Sequence, residues 1–218
     1  MQKDRACDEE KRGKPLREKR QPIADADFER IKQNIDNNIN DVKSKFPLAT
    51  REMSADLHVA EEIWRSQVVF LDSALDFYVH EVTTYGIVKI FNGEWPETKA
   101  FNEKRVSLGF AINLMKNSEN AVSLLTEEIN RLNMQYCFME YENISSNLKM
   151  IGITPDKSLH KKIDNFYKRR NLIAHQSDRL PGQTAKQSIT EQNVLDFITL
   201  VELFVNDITS KVETLNRR

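Results

Sequence analysis

Arg170, Asn171 and His175 stand close together in the segment KSLHKKIDNFYKRRNLIAHQSDR, residues 157–179. Histidine is the side chain best poised to take or give a proton near pH 7. Arginine presents a fixed fork of donors suited to the charge on a phosphate. An asparagine amide beside them can orient the imidazole or hold a phosphate oxygen. The surrounding charge points the same way. Seven residues of the segment are Lys or Arg (157, 161, 162, 168, 169, 170 and 179), against Asp164 and Asp178. The whole chain carries a formal net charge of -1, so a polyanion has to be met by a local patch, and this is the one strongly basic stretch outside the N-terminal arm. The plain alternative is a solvated helix face.

Helical spacing separates the two readings. At 100° per residue, Leu159, Ile163, Phe166, Arg170 and Ala174 share one stripe, so a guanidinium replaces an apolar residue on the face that should be buried. Such a group needs a partner or a cleft. A second stripe runs Asp164, Lys168, Asn171, His175, and Arg170 is long enough to reach round to it. Three hydrogen-bonding groups therefore converge near a helix C-terminus. A His in a last turn also interacts favourably with the helix dipole, by roughly 0.3–1 kcal/mol. On that reading Arg170 is simply the partner of a buried carboxylate, and both readings stay open.

Other chemistry-bearing residues form weaker sets. His80 follows Asp76 by one turn, a spacing that fits a supporting pair behind the site as well as a surface hydrogen bond. His58 has Glu61 and Glu62 within a turn, and His160 has Asp164 at i+4. Neither has a second His or a Cys at ligand spacing, so no metal site and no cofactor are expected. Tyr136, Tyr141 and Tyr167 have rings able to stack on bases, although aromatic residues at such spacings commonly serve the core. Glu81 and Glu140 read as ordinary helix carboxylates. No Gly-rich phosphate loop, G-x-S-x-G or H-E-x-x-H is present.

These residues need helices to hold them, and the composition provides for helices. With 6 Gly and 6 Pro among 218 residues, material for the many tight turns of an all-β fold is scarce. Hydrophobic residues make up 39% and charged residues 30%, a globular profile with a wet surface. Cys7 and Cys137 lie far apart in dissimilar surroundings, which argues against a disulfide or a metal site. There is no apolar leader and no run of 18 apolar residues, so a soluble, cytoplasmic protein without a membrane span is expected. Residues 1–22 are almost all polar and read as a disordered or frayed tail. Residues 23–218 read as a single helical domain.

Within that domain Phe28, Ile31, Ile35 and Ile39 form a helical stripe, extended by Val42 and Phe46 and expected to end at Pro47. A long helix over 58–91 carries Trp64, Val68, Leu71, Leu75, Tyr78, Val82 and Ile90 on one face, and Asn92-Gly93 stops it. Shorter helices are expected at 122–132 and 138–150. Thr154-Pro155-Asp156 opens a helix running to His175, and 178–187 is a loop. Ser188-Ile189-Thr190-Glu191 has the form of a capping box. It leads into the final stripe of Val194, Phe197, Ile198, Val201, Phe204, Val205, Ile208, Val212 and Leu215. The expected architecture is an all-α bundle of five to seven helices.

Arg170-Asn171-Leu172-Ile173-Ala174-His175 resembles the R-x4-6-H motif of HEPN proteins, in the form with a polar residue directly after the Arg. The motif's place late in the chain, at a helix end before a loop and a long amphipathic final helix, extends the resemblance. The segment Leu71–Glu81 is similar to the early core helix of the RiboL-PSP-HEPN branch. Together the similar region spans residues 58–215. The resemblance implies a HEPN-like helical bundle and a homodimer in which two motifs face each other across a cleft. It also implies metal-independent endoribonuclease chemistry, with attack of an RNA 2′-hydroxyl on its own phosphate leaving a 2′,3′-cyclic phosphate and a 5′-hydroxyl. His175 would then act as general acid or base, Arg170 as phosphate clamp and Asn171 as orienting group. Lys161, Lys162, Lys168 and Arg169 would bind the RNA. A toxin or phage-defence effector, with an antitoxin or other partner protein, is the expected setting. The alternative is a non-catalytic HEPN module that binds RNA or a protein through the same face.

Overall fold

The computed structural model describes residues 25–133 and 140–218. The charged arm at 1–22, Tyr136 and both cysteines lie outside the described residues. Every regular element among them is helical, and seven helices are ten residues or longer, as expected for an all-α bundle.

Helix α1 (Ala26–Lys43) begins where the Asp25 side chain accepts from the Phe28 N–H. It buries Phe28, Ile31, Ile35, Ile39 and Val42, the stripe set by its sequence spacing. The chain then breaks at Ser44–Lys45 and restarts as α2 (Phe46–Ala55). Pro47 does not end the first helix, as its sequence position suggested; it sits in the first turn of the second. Proline is at home there, because its fixed φ suits the helix and its missing N–H has no intrahelical partner to lose.

Helix α3 (Leu57–Phe91) is the axis of the molecule, about 50 Å long at 1.5 Å per residue. Asp56 caps it by accepting from the His58 and Val59 N–H groups, and Gly93, at φ +71°, turns the chain away at its far end. Its buried residues spread over most of its circumference, because α1, α2, α9, α6, α8 and α7 all pack on it. Gly86 is the point of closest approach. A Cβ there would lie 2.7 Å from Cβ and Cγ2 of Ile151, so only glycine lets the chain after α7 lie against α3 at this depth.

Two short helices, α4 (Lys99–Asn102) and α5 (Leu108–Lys116), lead to α6 (Ala121–Asn133). Helix α7 spans Tyr141–Met150, so the described part of the helix expected at 138–150 starts at Tyr141. The Asp156 carboxylate caps a single 3-10 turn, Lys157–Leu159, that feeds α8 (His160–Gln176). The last helix, α9 (Glu191–Asn216), buries Val194, Ile198, Val201, Phe204, Val205, Ile208 and Val212. Its capping box is shifted from the expected one. Thr190 is the cap and accepts from the Asn193 N–H, while Asn193 Oδ1 accepts from the Thr190 N–H. Ser188 is instead drawn into the preceding loop by its carbonyl, which accepts from Arg169.

Candidate active site

Helix α8 presents two faces to different surroundings. Leu159, Ile163 and Phe166 are buried among α3 and α9 side chains, with the Phe166 ring 5.0 Å from that of Phe197. One turn further along the same stripe comes Arg170, and here the packing switches from apolar to ionic. Its Nε lies 2.8 Å from Oδ2 of Asp72, a residue of α3 that is only 1% exposed. The contact is an ion pair with poor N–H alignment, and neither Asp72 oxygen receives a directed hydrogen bond. Burial pushes the Asp72 carboxyl up to about 7, with the Asp76 carboxylate adding to the rise and the Arg170 charge opposing it. The buried-carboxylate reading of Arg170 therefore holds, and it does not exclude the other. The far end of the same guanidinium donates from Nη1 to Oδ1 of Asn171 at 3.1 Å and lies 3.5 Å from Nε2 of His175.

The three residues singled out by spacing thus meet at one point. His175 is exposed in the last turn of α8, and Arg170 and Asn171 are partly buried behind it. A guanidinium drawn towards a buried carboxylate and hydrogen-bonded to Asn171 has lost part of its freedom before any ligand arrives, which suits it to a developing phosphate charge. An imidazole with its Nε2 beside that guanidinium can take or give a proton where the guanidinium holds the phosphate.

The remaining expected site residues divide. Lys161, Lys162 and Lys168 are exposed along α8. Arg169 does not join them. It turns inward to the buried carboxylate of Asp178 at 2.9 Å and to the Ser188 carbonyl at 3.0 Å. One cation of the basic patch is therefore spent on anchoring the loop after the helix. Asp76 and His80 continue the line of Asp72 along α3, with Nε2 of His80 3.5 Å from Oδ1 of Asp76. Tyr141 is a core residue: it is 2% exposed, its hydroxyl donates to the Pro155 carbonyl, and His160 stacks on its ring at 4.4 Å. Asp164 accepts from the Tyr141 N–H and lies 3.1 Å from His160, so both groups serve the α7–α8 junction. Among the described residues no group of three or more His, Cys, Asp or Glu is placed to hold a metal ion, and no helix is long and apolar enough to cross a membrane.

Spacing along α8 did not point to Asp72 or Asp178. A signal for one of them existed on α3. Arg65 and Asp72 both fall among the apolar residues on the buried arc of that helix, seven positions apart, and a charge inside such an arc demands a counter-charge from elsewhere.

A family model for RiboL-PSP-HEPN matches residues 26–214, nearly the whole described chain. The chain belongs to the RiboL-PSP-HEPN family. No curated protein and no solved structure matches it. Membership accounts for the all-helical bundle, and the matched region includes Arg170–His175 on the last helix but one.

Proposed function

We propose that this HEPN domain is a metal-independent endoribonuclease that cleaves RNA by attack of a 2′-hydroxyl on the adjacent phosphate. One observation carries the reading: Arg170 Nη1 lies 3.1 Å from Asn171 and 3.5 Å from His175 at an exposed helix end, with the Asp72 carboxylate behind the guanidinium. In the reaction, an imidazole takes the 2′-hydroxyl proton as the 2′-oxygen bonds to phosphorus. The bond from phosphorus to the 5′-oxygen breaks, and that oxygen leaves with a proton. Arg170 faces the charge that builds on the non-bridging oxygens. Lys161, Lys162 and Lys168 guide the backbone along α8.

A base and an acid are both needed, and each motif holds one histidine. That need favours a homodimer with two motifs facing each other, each supplying one of the two roles. Sedimentation is expected to give a dimer, and a strict monomer that still cuts RNA would contradict this arrangement. In the cell the reading makes the protein a toxin or phage-defence effector, held in check by an antitoxin or partner protein.

The decisive assay incubates purified protein with total RNA and tRNA in EDTA and analyses the ends. Cleavage leaving 2′,3′-cyclic phosphate and 5′-hydroxyl ends is expected, undiminished by the chelator. A requirement for divalent metal would sink the mechanism. The second reading, a non-catalytic module that binds RNA or a protein, draws on the Asp72–Arg170 pair, since a buried ion pair can serve register alone. No cleavage by a folded protein that still retards RNA would favour it.

A further inference from the structure

Asp178 is fully buried and lies three residues beyond His175. Two guanidiniums grip its carboxylate. Arg65 of α3 approaches with Nε at 2.7 Å from Oδ2, and Arg169 of α8 with Nη1 and Nη2 each at 2.9 Å. The main chain of Asp178 is tied as firmly. Its N–H donates to the carbonyl of Leu172, inside the motif, at 2.8 Å, and its own carbonyl accepts from Gln187 at 2.7 Å. Arg65 and Arg169 also donate to the carbonyls of Gln187 and Ser188, which draws in the returning loop. Ser177 and Asp178 have φ of 50° and 60°, a left-handed pair with no glycine. Such a pair persists only where its surroundings over-determine it. A buried anion thus turns the chain sharply, two residues after the imidazole.

Arg65 and Asp72 lie on one face of α3, and they meet Asp178 and Arg170 at the end of α8 with crossed polarity. The cation of α3 meets an anion and the anion of α3 meets a cation. Sliding α8 along α3 by a turn would bury one of these charges without its partner, which a dry interface resists strongly. Arg169 precedes the motif by one residue and Asp178 follows it by three, so their mutual ion pair brackets both ends of the segment that carries Arg170, Asn171 and His175.

We propose that Asp178, acting through Arg65 and Arg169, is a positioning residue that sets where the His175 imidazole stands relative to Arg170. The proposal rests on the reading of His175 as the proton-transfer group, but its test does not depend on cleavage alone. In the full chain labelled at histidine, the His175 ring is identified among the four histidines by its loss in His175→Ala, and its NMR signals and titration are followed alongside RNA cleavage.

Asp178→Asn and Arg169→Gln are expected to move the His175 ring signals and its titration midpoint. A displacement on the scale of 1 Å is expected to lower kcat about 100-fold with KM changed less than about threefold, the helical circular dichroism being retained. Arg169→Lys, which keeps a charge beside Asp178, is expected to return the ring signals towards wild type. If Asp178→Asn fails to fold, Arg169→Gln decides, since Arg169 is partly exposed. Loss of stability with unmoved His175 signals would make the clamp a fold support only and overturn the proposal. So would a Lys variant as perturbed as the Gln variant. If wild-type protein cuts no RNA, the catalytic reading falls, and the ring signals alone still decide whether the clamp places the imidazole.

Discussion

His175→Ala is expected to slow RNA cleavage by about 100- to 10,000-fold, the range over which a positioned acid or base accelerates proton transfer. The fold should barely respond. His175 is exposed, and its one described polar contact is the 3.5 Å approach to Arg170. The stability at risk is its interaction with the C-terminal end of the helix dipole, roughly 0.3–1 kcal/mol. The variant is therefore read by end-group analysis of cleaved RNA beside its circular dichroism spectrum. Helicity unchanged and cleavage gone identifies His175 as the proton-transfer group. Cleavage at the wild-type rate would remove it from the mechanism, and loss of helicity would make its role structural.

Asp72→Asn is expected to abolish a pH dependence of stability that the wild type carries between about pH 4 and pH 7. The sign follows from the direction of the shift. Burial raises the Asp72 carboxyl from an ordinary 3.8 to about 7. In that window the folded chain holds a proton that the unfolded chain has released, so stability falls as pH rises and levels off above pH 7. The cost of the buried charge at pH 8 is on the order of 4 kcal/mol, an upper figure because Arg170 and local relaxation share it. Several carboxylates, Asp25 and Glu62 among them, are shifted down and act in the opposite sense. The informative quantity is therefore the difference between variant and wild type in urea unfolding at pH 5 and pH 8. That difference should grow in favour of the Asn variant as pH rises. A constant difference would show that Asp72 does not titrate there. The same titration bears on the site, because an ionised Asp72 attracts the Arg170 guanidinium more strongly than a protonated one does.

How far each of these features was legible depends on how local its cause is. The stripes of α1, α3 and α9 were readable residue by residue, because helical periodicity is a property of a dozen consecutive side chains. The convergence of Arg170, Asn171 and His175 was readable for the same reason: all three lie on one helix, and two of them share a stripe. Boundaries were less so. Pro47 reads equally as a stop or as a first-turn residue, and the contest between Ser188 and Thr190 for the cap was decided by Arg169 pulling on the Ser188 carbonyl.

Arg169 was placed with the free cations of α8, since its own helix holds no sign of Asp178 folding back upon it. Asp178 itself meets Arg65 across a separation of 113 residues. By itself, then, the sequence determined the helical architecture, the grouping of Arg170, Asn171 and His175 and the basic stretch around them, because each is written in spacing along individual helices. Only the tertiary structure decided which charges are buried against which. Asp72 behind Arg170, and Asp178 between two arginines, depend on the packing of α8 on α3, where removal from water makes the choice of counter-charge decisive.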